Sequence, residues 1–561
     1  MNVHMQQDPP PAGPSLRRSF AIVVALLVCW TAMQVAWLQL DERIVEGDVM
    51  GNVGAAELFR VDRWRLSIPE VLARSYLDDY GEYPALYPAL LGIGLAAVGA
   101  TDLDGDAPAL MGLAFAWLAV LATWALGLAL GGGRVAWHGA ALLLLSPLWT
   151  GMQRHVLLEN GVIAGVTVVA AASLLALRAE QGGRLRAAWG LWLLAGLAAG
   201  GALLVKQTAV LFLVPIAAVG LAGGILAGGA ADWARQLRGP LLAAASAVLL
   251  AAPWYLRHGA AHDSYLVRSL HANPDAVGPL HQIAYYPLVL LQLTYAPAAL
   301  AALAGLAIWV HRRTGPPEPS DGPAEPADDS WSRWGRLGLP LLAALVSIAL
   351  LMLLPKKYPR LVVTVLPLLS VAFAVHFVRW PRLQRGLAFA ALTAALLASS
   401  FALGPLSSLL GVTRAGLVDV DERCFQSWVE PPSSPGLDWP ALLAALEQAG
   451  GAGAAYRVGA DRWPAPPCAH QTTHDLGQHL RVRVRRAGLE ARVLAAEDAW
   501  EQAKEWREGL PQVLVSDGAE PCRVDPEACA ALGELTLVQR VAGHPPGWPL
   551  DLHVFSVAAE P

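Results

Sequence analysis

Charged side chains are scarce in this sequence. They make up 15% of its 561 residues, against about 25% in an ordinary soluble chain. Set beside an apolar fraction of 55%, the shortage excludes a soluble globular enzyme and leaves a polytopic membrane protein. The net charge of −5 says little, because charge in such a chain acts by location. Cysteine is rare too. Cys29 lies in the first apolar run, while Cys424, Cys468, Cys522 and Cys529 all follow the last one. An even set confined to one polar region predicts two disulfides on the oxidising side of the membrane. Four free thiols in a cytoplasmic domain is the alternative. No small-x-small cleavage site follows the first apolar run, so Phe20 to Leu40 is read as a retained helix behind a cytoplasmic N-terminus with Arg17 and Arg18. No GxGxxG follows a strand pattern, so no nucleotide site is expected in the polar tail. No clear internal repeat is visible, which argues against a transporter built from repeated halves.

What is present is a series of long apolar runs. A membrane-spanning helix needs about 20 predominantly apolar residues. The runs that qualify are 19–40, 107–131, 135–151, 161–178, 187–204, 208–228, 239–256, 282–310, 337–354, 360–379 and 384–404. Basic loops at Arg17/Arg18, Arg134, Arg178/Arg184/Arg186, Arg235/Arg238, Arg312/Arg313/Arg333/Arg336 and Arg382/Arg385 should all face the cytoplasm. They can do so together only if 84–100 does not cross completely. That stretch is therefore read as an interfacial or re-entrant helix. The fold class expected is a polytopic α-helical membrane protein with about eleven transmembrane helices plus a juxtamembrane helix, followed by a small C-terminal α/β domain.

The domain division expected is a cytoplasmic tail over 1–18, a transmembrane catalytic domain over 19–410 with its first outer loop at 41–83, and an outer α/β domain over 411–561. The Pro-rich stretch 314–335 is a linker whose composition cannot bury a core. In the tail, Tyr456–Ala460, Ala491–Leu494, Gln512–Ser516 and Leu552–Ser556 read as strands, with helical patterns at 438–449, 470–486 and 496–508. Strands alternating with helices suggest an α/β sandwich. The basic run Arg481 to Arg486 is read as a solvated helix face.

Charge concentrates where the apolar runs stop. The loop 41–83 carries ten acids, Glu46, Asp48 and Glu82 among them, interleaved with five arginines. It is either a solvated acidic loop or the seat of chemistry beside a bilayer. Several cations also fall on the outer side, where short loops should be poor in them. They are Arg154 in Gln153-Arg-His-Val-Leu-Leu-Glu159, Lys206 between two helices with almost no loop, Lys356, Lys357 and Arg360 flanking Tyr358, and the basic and histidine residues of 257–281. Each has a plain explanation: Lys206 could snorkel to the interface, Arg154 could pair with Glu159, and the lysine pair could anchor helix ends. Clustering on one face instead suits an anionic group at the lipid surface, phosphate above all.

Five segments in order carry a family likeness: Glu46-Gly-Asp48; Gly81-Glu-Tyr-Pro-Ala-Leu-Tyr-Pro88; Arg154 to Glu159; Val205-Lys206-Gln-Thr-Ala; and Lys356-Lys-Tyr-Pro-Arg360 running on to Pro367. Together they resemble the GT-C membrane glycosyltransferases, and more closely the protein-mannosyltransferase and aminoarabinose-transferase group (glycosyltransferase family 39 and its bacterial relatives). The resemblance implies an enzyme that takes a sugar from a polyprenyl phosphate and gives it to a lipid, glycan or protein acceptor at the outer face. No nucleic-acid partner is expected. The resemblance makes Asp48 the catalytic base, with Glu46 as alternative. It places Glu82 near the lipid phosphate or a metal, and puts Arg154, Glu159, Lys206, Lys356, Lys357, Tyr358 and Arg360 around the donor phosphate. His271 would be the metal-binding histidine, although spacing does not separate it from His262 or His281. A divalent metal ion is the candidate cofactor. Three positions depart from the group: Gly47 stands where it has a paired acid, Tyr83 follows Glu82 where the aminoarabinose enzymes tend to have Lys, and Glu159 replaces the usual Asp.

The chemistry agrees with that class. An acceptor hydroxyl needs its proton removed by a placed carboxylate, and a departing phosphate needs cations where charge develops. A single essential carboxylate with no enzyme nucleophile implies inversion at the sugar carbon. The rival readings are a lipid-linked-glycan ligase and a non-enzymatic transporter or flippase. The absence of a Trp-Trp-Asp triplet lowers an oligosaccharyltransferase.

Overall fold

The computed structural model describes residues 16–40, 47–61, 67–77, 84–100, 107–228, 233–271, 279–290, 330–354, 359–380, 382–401, 439–450, 455–459, 493–494, 512–516, 535–541 and 552–557. Up to residue 401 every described element is helical. Helix α1 (Leu16–Leu40) has 25 residues, a length of about 38 Å at 1.5 Å per residue, enough for a hydrocarbon core of about 30 Å. Two short helices occupy the expected outer loop, α2 (Gly47–Leu58) and α3 (Ile68–Leu77). Helix α3 opens with a capping box, in which Ser67 donates from both its backbone N and its Oγ to Glu70 Oε2 (2.6 and 2.7 Å). Helix α4 (Leu86–Ala97) has 12 residues, about 18 Å, too short to cross. That length agrees with the interfacial or re-entrant reading of 84–100.

Helix α5 (Ala107–Leu144) is two helices joined at a kink, where Gly131 (φ −151°) and Gly132 (φ +74°) leave helical geometry. A positive φ is cheap only for glycine, so the run Gly131–Gly133 is the hinge between them. The expected single span over 135–151 is also broken. Its helix ends at Leu144, and the chain restarts as α6 (Pro147–Met152), with Pro147 in the first turn and the Ser146 hydroxyl accepting from the Trp149 backbone N. A serine cap ahead of a proline is a start signal inside the apolar run. Then follow α7 (Leu158–Gln181), α8 (Leu185–Val205) and α9 (Val210–Gly228). Helix α10 (Trp233–His271) corrects another expectation: 257–271 is not loop but a continuation of the apolar helix. Helices α11 (Pro279–Leu290), α12 (Ser330–Leu353), α13 (Pro359–Val362), α14 (Leu366–Phe377) and α15 (Arg382–Phe401) complete the bundle.

Among the described residues, six helices are long and apolar enough to cross a membrane, with three shorter apolar ones beside them. That is fewer than the eleven spans expected, and part of the run 282–310 lies outside the described residues. Side-chain contacts define the two ends of the bundle. At one end the Ser19 hydroxyl donates to the Gly133 carbonyl (2.9 Å), and Arg178 Nη1 donates to the Leu128 carbonyl (3.2 Å). Toward the other, Trp30 Nε1 donates to Thr150 Oγ1 (3.1 Å). Arg134 and Arg178 thus lie at the first end.

Glycine sets how closely α2 and α4 dock. A Cβ on Gly92 of α4 would stand 2.5 Å from the Ala56 carbonyl oxygen of α2 and 3.0 Å from the carbonyl carbon of Phe59, just after α2. Both obstacles are backbone, so nothing can swing aside. Gly92→Val is expected to destabilise the protein by about 1–3 kcal/mol. Gly220→Ala, where the added atom meets nothing within 4 Å, serves as the control with unchanged thermal unfolding in detergent.

The polar tail contributes helix α16 (Trp439–Gly450) and one five-stranded sheet in the order β2-β1-β3-β5-β4. The strands are β1 (Ala455–Gly459), β2 (Val493–Leu494), β3 (Gln512–Ser516), β4 (Leu535–Val541) and β5 (Leu552–Val557). Strands β2, β1 and β3 are parallel, while β5 runs antiparallel to both β3 and β4. Helix α16 packs on β3, β4 and β5. Four of these strands match the expected ones and β4 does not. A bulge between Leu537 and Gln539 breaks its period-two alternation, the signal by which a strand is read. The described residues contain no disulfide, and their one cysteine, Cys29, is free. Cys424, Cys468, Cys522 and Cys529 lie outside the described residues.

Candidate active site

Three charged side chains from separate segments meet inside the bundle. Glu159 sits in the first turn of α7. Lys206 lies just past α8, where the backbone turns extended (φ −159°, ψ 130°) before a short 3-10 turn leads into α9. Arg360 is the second residue of α13. Lys206 Nζ is 2.6 Å from Glu159 Oε1, and Arg360 Nε is 3.2 Å from the same oxygen. The three side chains are less than a tenth exposed. Buried charge is expensive unless paired, so the cluster is a deliberate feature of the fold. It also settles the plain alternative for Lys206, which reaches inward to a carboxylate instead of snorkelling to the surface.

Arg154 is buried too, and it reaches side chains far from it in sequence. Its Nε donates to Gln34 Oε1 (2.8 Å), its Nη2 donates to Ser400 Oγ (2.7 Å), and its guanidinium lies 4.2 Å over the Trp37 ring. One side chain thereby ties α1, the α6–α7 connection and the end of α15 together through hydrogen bonds and a cation–π contact.

The α6–α7 connection is held from two sides by asparagine amides. Asn160 Nδ2 donates to the His155 carbonyl, and Asn52 Nδ2 of α2 donates to the Val156 carbonyl, each at 2.8 Å. The Tyr/Pro segment comes to the same place. Tyr87 is fully buried and stacks on Phe115 with ring centroids 5.0 Å apart. A Cβ built on Gly112 would stand 3.9 Å from the Tyr87 hydroxyl and 4.0 Å from both the Asn160 amide nitrogen and the His155 carbonyl. Gly161 lets Tyr87 and Val205, the neighbour of Lys206, approach the start of α7: a Cβ there would lie 3.1 Å from each.

The structure thus joins the third, fourth and fifth motifs through Glu159, Lys206 and Arg360, and brings Tyr87 of the second alongside. Asp48 is the second residue of α2, one helical turn before Asn52 and at a position on the same helical face. His271 is the last residue of α10. Glu46, Glu82, Lys356, Lys357 and Tyr358 lie outside the described residues. Among the described residues, no group of three or more His, Cys, Asp or Glu stands together as a metal site. Sequence reasoning missed Gln34, Asn52 and Ser400. Gln34 carried a signal, a polar side chain inside an otherwise apolar span, whereas serine is ordinary in such helices.

No family model matches this sequence, and no curated protein matches it significantly. Crystal structures that match its fold include ArnT from Cupriavidus metallidurans in the apo state, and the same protein bound to undecaprenyl phosphate. Each superposes with a TM-score of 0.57 at 15% identity, covering 96% of this chain and 98% of the other. The fold is that of ArnT. At that identity the likeness is one of fold, and it bears out the architecture implied by the five motifs. The ArnT likeness also runs beyond the helical bundle, whose last described helix ends at residue 401 of 561.

Proposed function

We propose that this protein transfers a monosaccharide from a polyprenyl-phosphate donor to an acceptor hydroxyl at the outer face of the cytoplasmic membrane. The observation that carries the reading is the buried meeting of Lys206 and Arg360 on Glu159, within a fold shared with a protein that has been crystallised bound to undecaprenyl phosphate. The unit over 19–410 holds the chemistry and faces its motif end outward, and 411–561 forms an outer α/β domain.

In the reaction, Asp48 takes the proton of the acceptor hydroxyl, with Glu46 as the alternative base. The hydroxyl oxygen bonds to the anomeric carbon as the bond from that carbon to the phosphate oxygen breaks. The electron pair leaves with the phosphate, so the configuration at the carbon inverts. Lys206 and Arg360, with Lys356 and Lys357, stabilise the charge that grows on the leaving group. Glu159 holds the two nearest cations in place. Tyr358 completes the donor pocket, and Arg154 steadies the segment that carries Glu159. A divalent ion held by Glu82 and His271 would add positive charge beside the phosphate.

The test is a transfer assay with the purified protein in lipid, offered a panel of polyprenyl-phosphate monosaccharides with and without EDTA. Consumption of a lipid-linked sugar, with an inverted product, is the expected result. EDTA should lower the rate, with Mg²⁺ or Mn²⁺ restoring it. A rate indifferent to EDTA removes the metal, and a panel left untouched removes the reading.

A further inference from the structure

We infer that Asn52 is a positioning residue that fixes the catalytic helix α2 against the α6–α7 connection, and so sets the distance between the base and the departing phosphate. The inference rests on the proposed transfer reaction and deepens it. The C-terminal end of α2 packs on α4, Gly92 against the Ala56 carbonyl, and just past both helices Arg60 Nη1 donates to the Ala100 carbonyl (2.5 Å). Its N-terminal half, where Asp48 sits, has a different tether. Asn52 Nδ2 donates 2.8 Å to the Val156 carbonyl, three residues before Glu159. The adjacent carbonyl, His155, is taken by Asn160 in the first turn of α7. Two asparagines therefore grip consecutive carbonyls of one connection, one from the helix bearing the base and one from the helix bearing the acid that holds Lys206 and Arg360. The amide is well suited to this, since it donates to a carbonyl without bringing charge into a half-buried place.

Turnover depends steeply on such a distance, because misplacing reacting groups by about 1 Å can cost as much as 10²-fold. Asn52→Ala should lower kcat roughly 10- to 100-fold while the donor KM stays within about twofold. Asn52→Asp, nearly isosteric but without the N–H donors, should fall as far as alanine. Asn52→Gln, which keeps the amide, should recover part of the loss. Hydrogen exchange supplies a readout that needs no turnover: amides of 47–52 should exchange faster in Asn52→Ala, with those of α7 unchanged. Wild-type kcat in both the alanine and aspartate variants, an equal loss of donor affinity, or unaltered exchange in α2 overturns the inference. An active wild type with a dead Asp48→Asn beside a fully active Asn52→Ala would sink this inference alone. A wild type that consumes no donor would sink the parent reading, and the exchange result would still decide the tether.

Discussion

Asp48→Asn keeps the protein folded and lowers turnover by about 10²–10⁴-fold, the usual contribution of a placed general base. The substitution preserves shape and removes only the ability to accept a proton, so expression and thermal unfolding should match the wild type. Glu46→Gln is its partner experiment. Asp48 shares a face of α2 with Asn52, which donates to the Val156 carbonyl three residues before Glu159. The Glu46 variant should therefore retain most of its turnover. If Glu46→Gln is dead and Asp48→Asn is active, the roles are reversed. If both are active, neither carboxylate is the base. A KM for donor unchanged in Asp48→Asn would place the loss in the chemical step and not in binding.

The second large effect is expected at Lys206. Lys206→Met keeps much of the side-chain volume and removes the charge 2.6 Å from Glu159. Breaking a buried pair from one side costs about 3–5 kcal/mol of stability, so the variant should unfold at a lower temperature. Turnover in the surviving folded fraction should fall by about 10²–10³-fold, the scale for losing one group that stabilises developing negative charge. Lys206→Arg retains a cation and separates the two effects: stability should recover further than activity, because a planar guanidinium cannot take the place of a compact ammonium against both Glu159 and a phosphate. Arg360, the other cation on Glu159 Oε1, predicts the same pattern for Arg360→Met. Loss of stability with full turnover in the folded fraction would make the cluster a structural pair only.

The charged positions were legible in the sequence because the bilayer makes them conspicuous. Lys206 stands between two apolar helices, where an ammonium either snorkels to the interface or finds a partner. Its partner Glu159 lies 47 residues away, a separation no local pattern reveals, and the family resemblance linked them only as members of one site. Arg154 shows the opposite case. Its neighbour Glu159 offered a local pair as the plain explanation, while Gln34 and Trp37 of α1 and Ser400 of α15 contact it from far along the chain. Helix boundaries were legible where apolar runs end at charge, as at Gln181. They were not where the interruption is made of neutral residues, as at Ser146–Pro147, or where polar sequence remains helical, as over 257–271. Hydropathy measures transfer into lipid and is blind to backbone continuity. Strand β4 escaped for a related reason, since its bulge scrambles the alternation that periodicity depends on.

We propose that the Lys206–Glu159–Arg360 cluster receives the phosphate of a lipid-linked donor. Equilibrium binding of undecaprenyl phosphate to the protein in lipid nanodiscs tests it most directly, with undecaprenol as the control that lacks only the phosphate. The account predicts that the wild type binds the phosphate at least about tenfold more tightly than the alcohol, a difference of about 1.4 kcal/mol, and that folded Lys206→Met loses that preference. Equal affinity for phosphate and alcohol in the wild type, or an undiminished preference in Lys206→Met, would contradict it.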